Sequence, residues 1–283
     1  MKTLCSAILL LGLLASSRAA TTIDTTNRYA YGGNLGWIDW VADTNNGAVI
    51  GEYVCSGNLY SANVGWINFG SGTPTNGIYY QNLSATDFGV NQDGLGNLRG
   101  YAYGANIGWI NFEPTGAPTV NLINGQLSGY VWSANCGWIS LSNAVAHVQT
   151  DTIKPGALAP DGLPIAWLLQ NFGTTNVNAS ADSDGDGQSN LQEYLAGTDP
   201  NNASSVFKIN FFTRNVISPN YTVLGWNSVA SRCYAVQTRP NLASGSWTDY
   251  FNTPIAGLAS IGFTDLNPTN EFYRVRAYRP LLP

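Results

Sequence analysis

The sequence has little charge for its length of 283 residues. Lysine, arginine, aspartate and glutamate together make up 10% of the residues, and the formal net charge is −5. So low a charge excludes coiled coils and highly charged disordered chains, both of which need many charged side chains. The runs of lysine and arginine that follow a phosphate backbone are also missing, so the sequence predicts no nucleic-acid partner.

Histidine and cysteine are scarce as well. His147 is the single histidine, and the four cysteines form no Cys-x-x-Cys pair. A zinc site of ordinary ligands is therefore excluded, and His147 would be the only histidine base for nucleophilic catalysis. Cys55 and Cys136 fall in the same predicted domain, where they either form a disulfide or stay as small buried apolar residues.

Long apolar runs are absent after the first twenty residues. Lys2 precedes an apolar run over residues 4–15, and Ser17 and Ala19 are small residues at the positions that a signal peptidase reads. The run is too short to cross a bilayer, and no later stretch reaches about 18 apolar residues. The sequence therefore predicts a signal peptide over 1–19, an extracellular or cell-surface location and no transmembrane segment.

Glycine and aromatic residues are plentiful, and one ten-residue pattern occurs four times. The pattern is aromatic, small, small, Asn, apolar, Gly, Trp, Ile, polar, apolar, and it occupies residues 31–40, 60–69, 103–112 and 132–141. Its tryptophans lie 29, 43 and 29 residues apart, which indicates a duplicated two-unit block. Alternating apolar residues on both sides of an Asn-containing corner predict a β-hairpin, with Asn supplying the left-handed turn. Because one hairpin cannot bury a face alone, the repeats predict a single antiparallel β domain over 20–149, whether sandwich, barrel or propeller-like ring.

The repeated tryptophans have two interpretations. Their regular position next to isoleucine favours a role in the core, where large aromatic residues contribute most to packing. Alternatively, they are exposed platforms that stack on sugar rings, while the asparagines bind sugar hydroxyls. The more variable aromatic residues are the predicted ligand platform, and these are Trp40, Tyr60, Tyr79, Tyr80 and Trp132.

A linker rich in proline and glycine starts at residue 150, and a short helix is predicted from Pro164 to Phe172, closed by Gly173. The segment 182–193 then matches the twelve-position loop that binds calcium in EF-hands. Calcium takes six to eight oxygen ligands, and without it the carboxylates of this loop would repel one another. The alternative is an ordinary Asp-Gly turn without an ion. The predicted calcium ligands are Asp182, Asp184, Asp186, Gln188 through its carbonyl, Asn190 and Glu193.

Residues 161–200 resemble the dockerin or thrombospondin type 3-like calcium segment of secreted bacterial modular proteins. In that family the segment commonly precedes a small C-terminal β domain, which residues 206–283 resemble. The four repeats are similar to Asn-x-Gly-Trp-Ile repeats of bacterial surface proteins. These resemblances imply calcium binding and an extracellular setting, and they imply no enzymatic activity.

The alternation of apolar and polar residues after residue 205 also predicts short strands, as in a β-sandwich of immunoglobulin or fibronectin style. The chain is thus predicted to be mainly β, with a repeat domain, a linker with a calcium segment over 150–204 and a β-sandwich over 205–283. We expect a non-enzymatic secreted or cell-surface protein in adhesion, matrix or surface assembly, with a polysaccharide or a surface protein as partner. One alternative is a carbohydrate-binding module with aromatic platforms. The other is a secreted hydrolase with a carboxylate pair drawn from Asp39, Asp43, Glu52, Asp87, Asp93 and Glu113.

Overall fold

The computed structural model describes residues 21–43, 45–217, 220–253, 260–266 and 272–281, so the predicted signal peptide lies outside the described residues. The chain is mainly β, with antiparallel sheets. The strands before residue 151 are β1 (Ile23–Gly32), β2 (Gly36–Asp39), β3 (Ser56–Ser61), β4 (Gly65–Ser71), β5 (Val90–Gln92), β6 (Leu98–Gly104), β7 (Gly108–Phe112), β8 (Thr119–Val120), β9 (Leu127–Ser128), β10 (Tyr130–Ser133), β11 (Gly137–Ser140) and β12 (Val148–Thr150).

Eight of these strands close into a barrel. Their order is β1, β2, β3, β4, β6, β7, β10 and β11, and β11 pairs back with β1. Each ten-residue pattern forms one hairpin of the barrel, from the β1–β2 pair to the β10–β11 pair. Strands β5 and β12 pair with β6 and β1 beside this ring, and β8 and β9 form a separate small pair. Of the three architectures that the repeats allow, the structure thus has the barrel.

The barrel interior is built from alternate residues of each hairpin, because successive side chains in a strand point to opposite faces. The isoleucine after each tryptophan is buried and lies opposite a buried apolar residue of the partner strand, as Ile110 does opposite Ala102. The last residue of each pattern points inward as well, and these residues are Trp40, Phe69, Phe112 and Leu141. About 10 Å³ of free space remains among them, about the least that could hold one water molecule.

Glycine, not asparagine, supplies the left-handed backbone of the four hairpin turns. Gly36, Gly65, Gly108 and Gly137 have φ values of 78°, 80°, 72° and 80°. A side chain at these positions would be strained. The prediction that asparagine takes this conformation is wrong, because the asparagine side chains have another role.

The turn asparagines form a closed ring of hydrogen bonds at one end of the barrel. Each side-chain amide donates to the backbone carbonyl of the residue that follows the asparagine in the preceding hairpin. The four bonds run from Asn63 to Leu35 (3.0 Å), from Asn106 to Val64 (3.0 Å), from Asn135 to Ile107 (3.0 Å) and from Asn34 to Cys136 (3.2 Å). The last of these bonds connects the fourth hairpin to the first and so closes the ring.

Removing one bond of this ring should lower stability modestly. We expect Asn135→Ala to reduce the free energy of unfolding by about 0.5–1.5 kcal/mol, the usual net contribution of one hydrogen bond. Chemical denaturation measures this. The double variant Asn63→Ala/Asn135→Ala should lose the sum of the two single effects, because the two bonds share no partner. No loss in either single variant would show that the ring does not hold the barrel closed.

The three described cysteines, Cys55, Cys136 and Cys233, are buried free thiols. Cys55 and Cys136 are therefore small buried residues, and the alternative of a disulfide between them is wrong. Burial raises the pKa of the Cys55 thiol to about 12, so this thiol is protonated at neutral pH.

The segment after the barrel contains two α-helices, the only ones within the described residues. Helix α1 (Ile165–Phe172) begins after Pro164 and ends at Gly173, whose φ of 66° is typical of a helix C-terminus. Helix α2 (Asn190–Ala196) begins with a capping box, in which the Ser189 hydroxyl accepts from the Gln192 backbone and the Gln192 side chain accepts from the Ser189 N–H. The two helices pack through Trp167 and Tyr194, whose ring centroids lie 5.7 Å apart.

The remaining strands form two three-stranded antiparallel sheets. They are β13 (Ile209–Asn215), β14 (Tyr221–Asn227), β15 (Cys233–Arg239), β16 (Thr248–Thr253), β17 (Ser260–Asp265) and β18 (Phe272–Tyr278). One sheet has the order β13, β14, β17 and the other β16, β15, β18. Strands β14 and β15 supply the buried core of these sheets, which is centred on Trp226 and Tyr234.

A buried charge cluster joins the barrel, α2 and the C-terminal sheets. The Glu52 carboxylate, in the loop after β2, accepts a hydrogen bond from the Tyr194 hydroxyl at 2.8 Å and pairs with Arg279 at 2.9 Å. Arg232 lies 3.9 Å from the same carboxylate and donates to the backbone carbonyls of Tyr194 and Leu195. We call these four residues, Glu52, Tyr194, Arg232 and Arg279, the junction cluster.

Candidate functional site

The outer face of the barrel carries a belt of exposed aromatic pairs. Trp37, Trp66, Trp109 and Trp138 are 45%, 52%, 43% and 45% exposed. The interpretation that they form the core is wrong, because the neighbouring isoleucines take the inward positions and leave the tryptophans outside. Each tryptophan lies opposite the first aromatic residue of its own pattern. We call these eight residues the aromatic belt, and the four pairs are Tyr31–Trp37, Tyr60–Trp66, Tyr103–Trp109 and Trp132–Trp138.

The four pairs share one geometry. Their ring centroids lie 4.8, 5.1, 4.8 and 5.0 Å apart, and their planes meet at 58°–62°. Two aromatic rings in a tilted contact of this kind stabilise each other, and this holds each tryptophan in place on the surface. The belt is therefore a set of similar, fixed platforms around the barrel.

A polar residue lies next to each platform. Two positions after each tryptophan, the outward residue lies opposite the first aromatic residue of the next hairpin. These pairs are Asp39 with Tyr60, Asn68 with Tyr103, Asn111 with Trp132 and Ser140 with Tyr31. Directly opposed side chains have Cβ atoms about 4.5–5.5 Å apart. Aromatic pairs and hydrogen-bonding groups thus alternate around the belt.

Internal contacts fix these polar residues. Asp39 pairs with Arg28 at 2.7 Å, and Asn68 accepts from the Gly70 N–H at 2.8 Å. The Asn111 amide donates to Glu113, and the Ser140 hydroxyl donates to the Ser142 carbonyl at 2.6 Å. Their orientation is therefore set before any ligand arrives.

The predicted ligand platform is only partly on the surface. Tyr60 and Trp132 are 39% and 38% exposed and belong to the belt, whereas Trp40 and Tyr80 are 1% and 3% exposed. The prediction of exposed contacts is therefore wrong for Trp40, which fills the barrel interior, and for Tyr80. The Tyr80 hydroxyl donates to the Cys55 carbonyl and accepts from the Gly72 N–H. Tyr79 is half-buried and packs on Tyr53.

The calcium-loop segment brings three carboxylates together. One oxygen each of Asp182, Asp184 and Asp186 lies within 4.8 Å of the others. The loop is shaped by backbone N–H groups that donate to these side chains, among them Gly187 to Asp182 at 2.9 Å. The second carboxylate oxygens of Asp184 and Asp186 are buried and make no hydrogen bond within the described residues. Buried carboxylate oxygens without partners are costly, and a cation among them removes that cost.

Glu193, the last predicted ligand, shares this environment. Its side chain is fully buried, and its Oε2 atom has no hydrogen-bond partner within the described residues. Burial and the carboxylates of Asp184 and Asp186 raise the pKa of Glu193 to about 7. The four carboxylates therefore form one electrostatically coupled group that is suited to a cation.

The two remaining predicted ligands make other contacts through their side chains. Asn190 accepts from the Ser183 hydroxyl at 2.9 Å and donates to the Asn178 carbonyl at 2.9 Å, so its amide ties the loop to the segment before it. The Gln188 side chain donates to the Phe207 carbonyl at 3.4 Å, which leaves only its own backbone carbonyl for the predicted role.

Comparison of the chain with family models, with curated proteins and with solved structures gives no match. The resemblance to dockerin and thrombospondin type 3-like segments stays a prediction that rests on the residues of the loop. Within the described residues, no helix has the length and apolar character needed to cross a membrane.

Proposed function

We propose that the barrel is a non-enzymatic carbohydrate-binding domain, which binds glycans through the aromatic belt. The observation that supports this proposal best is the exposure of four similar tryptophan–aromatic pairs around one closed barrel. Exposed aromatic patches on a folded domain mark binding surfaces, because each ring left in water costs free energy. The belt thus favours the carbohydrate-binding alternative over a general assembly role.

The chemistry of the belt suits a sugar. A pyranose ring has an apolar face of C–H groups, which a flat indole can cover, and a rim of hydroxyls that need hydrogen bonds. Asn68, Asn111 and Ser140 supply uncharged polar groups beside the platforms, and the tyrosines supply further hydroxyls. Sites of this type combine an aromatic surface with a few fixed polar groups. Adhesion or matrix assembly would then follow from glycan binding by several platforms at once.

A glycan array tests this proposal. The chain without residues 1–19 is labelled and applied in the presence of calcium, beside a variant with valine at the tryptophans that precede the isoleucine in each repeat, which are Trp37, Trp66, Trp109 and Trp138. Valine keeps a high strand propensity, so the barrel is retained while the flat platforms are lost. We expect the wild type to bind uncharged glycans and the variant to bind none.

Two controls make the array conclusive. Circular dichroism and the melting temperature show whether the four-fold variant is folded, and the two-fold variant Trp37→Val/Trp109→Val perturbs the barrel less. Absence of glycan binding by the wild type, or equal binding by the folded variants, would contradict the proposal.

We also propose that residues 182–193 bind calcium outside the cell, between the barrel and a C-terminal β-sandwich. Asp182, Asp184, Asp186 and Glu193 would provide carboxylate oxygens, with Gln188 providing its backbone carbonyl and Asn190 standing at the ninth loop position. The support is the set of buried carboxylate oxygens that have no hydrogen-bond partner in the described part of the chain, together with the raised pKa of Glu193. Calcium binding here would fix the start of α2 and so the position of Tyr194 in the junction cluster.

Calcium affinity should depend on pH near neutrality. Because the pKa of Glu193 is about 7 in the ion-free protein, a proton competes with calcium below that pH. We expect the affinity at pH 6 to be about tenfold below its value well above pH 7, as one displaced proton requires. Isothermal titration at several pH values measures this, and Glu193→Gln should bind weakly without this pH dependence. The same affinity at pH 6 and pH 8 would contradict the prediction.

The ion-free protein should show the opposite dependence in its stability. A carboxyl whose folded pKa lies above its ordinary value of 4.5 adds stability that is present below that value and lost as the pH rises to about 7. In chelator, the free energy of unfolding should therefore fall as the pH rises from 4.5 to 7.5. The variant Glu193→Gln should lack this fall, and chemical denaturation measures both.

A further inference from the structure

One of the four belt platforms differs from the others, because an inserted segment packs against it. The second and third tryptophans of the repeat are 43 residues apart, whereas the other neighbours are 29 apart. The longer connection, residues 72–89 between β4 and β5, brings Phe88 onto the outer face of the third hairpin. The Phe88 ring lies 5.0 Å from that of Trp109, at 85°, and 6.3 Å from that of Tyr103.

The inserted segment is held in one conformation by its own polar residues. Asp87 is 6% exposed and accepts hydrogen bonds from the backbone and hydroxyl of Thr75 and from the Gln81 N–H. Asn82 has a positive φ of 57°, accepts from the Gly89 N–H at 3.0 Å and donates to the Tyr80 carbonyl at 3.3 Å. A segment so fixed offers a preformed surface, which lowers the entropic cost of binding.

Between this segment and the barrel lies a groove of about 420 Å³, within the usual range for small-molecule sites. Phe88, Tyr101 and Trp109 form its aromatic walls. The remaining lining residues are Asn82, Leu83, Ser84 and Ala85, so every side chain of the lining is uncharged.

We infer that this groove is the principal sugar-binding subsite of the belt and that it takes an uncharged saccharide unit. The inference rests on the proposed carbohydrate binding and assigns most of the affinity to the third hairpin. With Phe88, the Trp109 ring contacts three other aromatic rings. Among the described rings, Trp37 and Trp138 each contact two and Trp66 contacts one. A charged sugar such as a uronate would lose hydration without gaining a cationic partner in the lining, which disfavours it.

Matched single variants of the whole mature chain test the inference. Trp109→Val removes a wall of the groove, Trp37→Val removes the equivalent platform of the first hairpin, and Ala85→Arg places a long side chain into the groove from an exposed position. Isothermal titration uses uncharged hexasaccharides of glucose, xylose, mannose and N-acetylglucosamine, with hexagalacturonate as the charged comparison.

We expect Trp109→Val and Ala85→Arg to weaken binding of an uncharged hexasaccharide at least about tenfold, and Trp37→Val about twofold or less, as for a central against a peripheral contact. Equal losses in Trp37→Val and Trp109→Val, or unchanged binding by Ala85→Arg, would overturn the principal subsite and leave the belt's function intact. Tighter binding of hexagalacturonate than of the uncharged hexasaccharides would overturn the inference that the ligand is uncharged.

A wild type that binds none of the sugars on the array would overturn the proposed function itself. Because Ala85 is on the surface, its variant should keep the wild-type melting temperature even where Trp109→Val does not.

Discussion

Glu52→Gln is expected to lower the free energy of unfolding by about 3–5 kcal/mol, as for removal of one partner from a buried ion pair. The substitution leaves Arg232 and Arg279 buried near each other without a neutralising carboxylate, since both side chains are less than a tenth exposed. Burial already lowers the pKa of Arg232, so its charge is costly even in the wild type. Chemical denaturation in saturating calcium measures the loss.

The control is Glu113→Gln, which removes a carboxylate from an exposed position and should change stability by less than about 0.5 kcal/mol. The double variant Glu52→Gln/Arg279→Met should recover part of the lost free energy of unfolding, because it removes one of the two arginine charges that Glu52→Gln leaves unpaired. Equal stability of Glu52→Gln and the wild type would show that the junction cluster does not connect the barrel to the C-terminal sheets.

Removal of calcium should lower the free energy of unfolding by about 2.7–4.1 kcal/mol relative to protein in calcium at 100–1,000 times its dissociation constant. The effect follows from mass action, since an ion that binds only the folded loop stabilises it. It should also reach the junction, because Tyr194 follows Glu193 directly and donates to Glu52. Denaturation with calcium and with chelator measures the difference.

Asp184→Ala provides the matched comparison. Without this carboxylate the calcium dependence should disappear, and the variant should be more stable than the wild type in chelator, because one of the repelling charges is gone. A wild type that unfolds at the same denaturant concentration with and without calcium would refute the calcium proposal.

Local features of the fold could be predicted from the sequence. The four hairpins follow from alternating residues around a turn, and the bounds of α1 follow from Pro164 and Gly173. The clustering of Asp182, Asp184 and Asp186 follows from their spacing in a short loop. All of these depend on residues close together in the chain.

The side of the barrel to which the tryptophans point could not be decided from composition, because both faces of each hairpin carry large apolar residues. Trp37 and Trp40 are three positions apart and so lie on opposite faces of the chain. Trp40 lies in the interior because Ile38 shares its face, and each hairpin fills the narrow barrel with this isoleucine and one opposing apolar residue, as Ile38 and Ala30 do. The usable signal is the polar residue two positions after each tryptophan, such as Asp39 after Trp37, because it shares the face of the tryptophan and indicates the side in water.

Closure of the barrel and the junction cluster depend on contacts that no local pattern records. The Asn34–Cys136 bond joins residues 102 positions apart, and the Tyr194–Glu52 bond joins residues 142 apart. Asparagine and glutamate are common on surfaces, so their types alone do not indicate these partners. The sequence therefore predicted a repeat domain without its closed shape.

The most direct test of the aromatic belt is fluorine NMR of protein labelled with 5-fluorotryptophan, titrated with a glycan that the array identifies. The nine tryptophans give separate signals, which single substitutions assign. We expect the signal of Trp109 to shift most, those of Trp37, Trp66 and Trp138 to shift less, and those of the buried Trp40 and Trp226 to stay unchanged. Shifts confined to tryptophans outside the barrel, or no shift at saturating glycan, would contradict glycan binding by the belt.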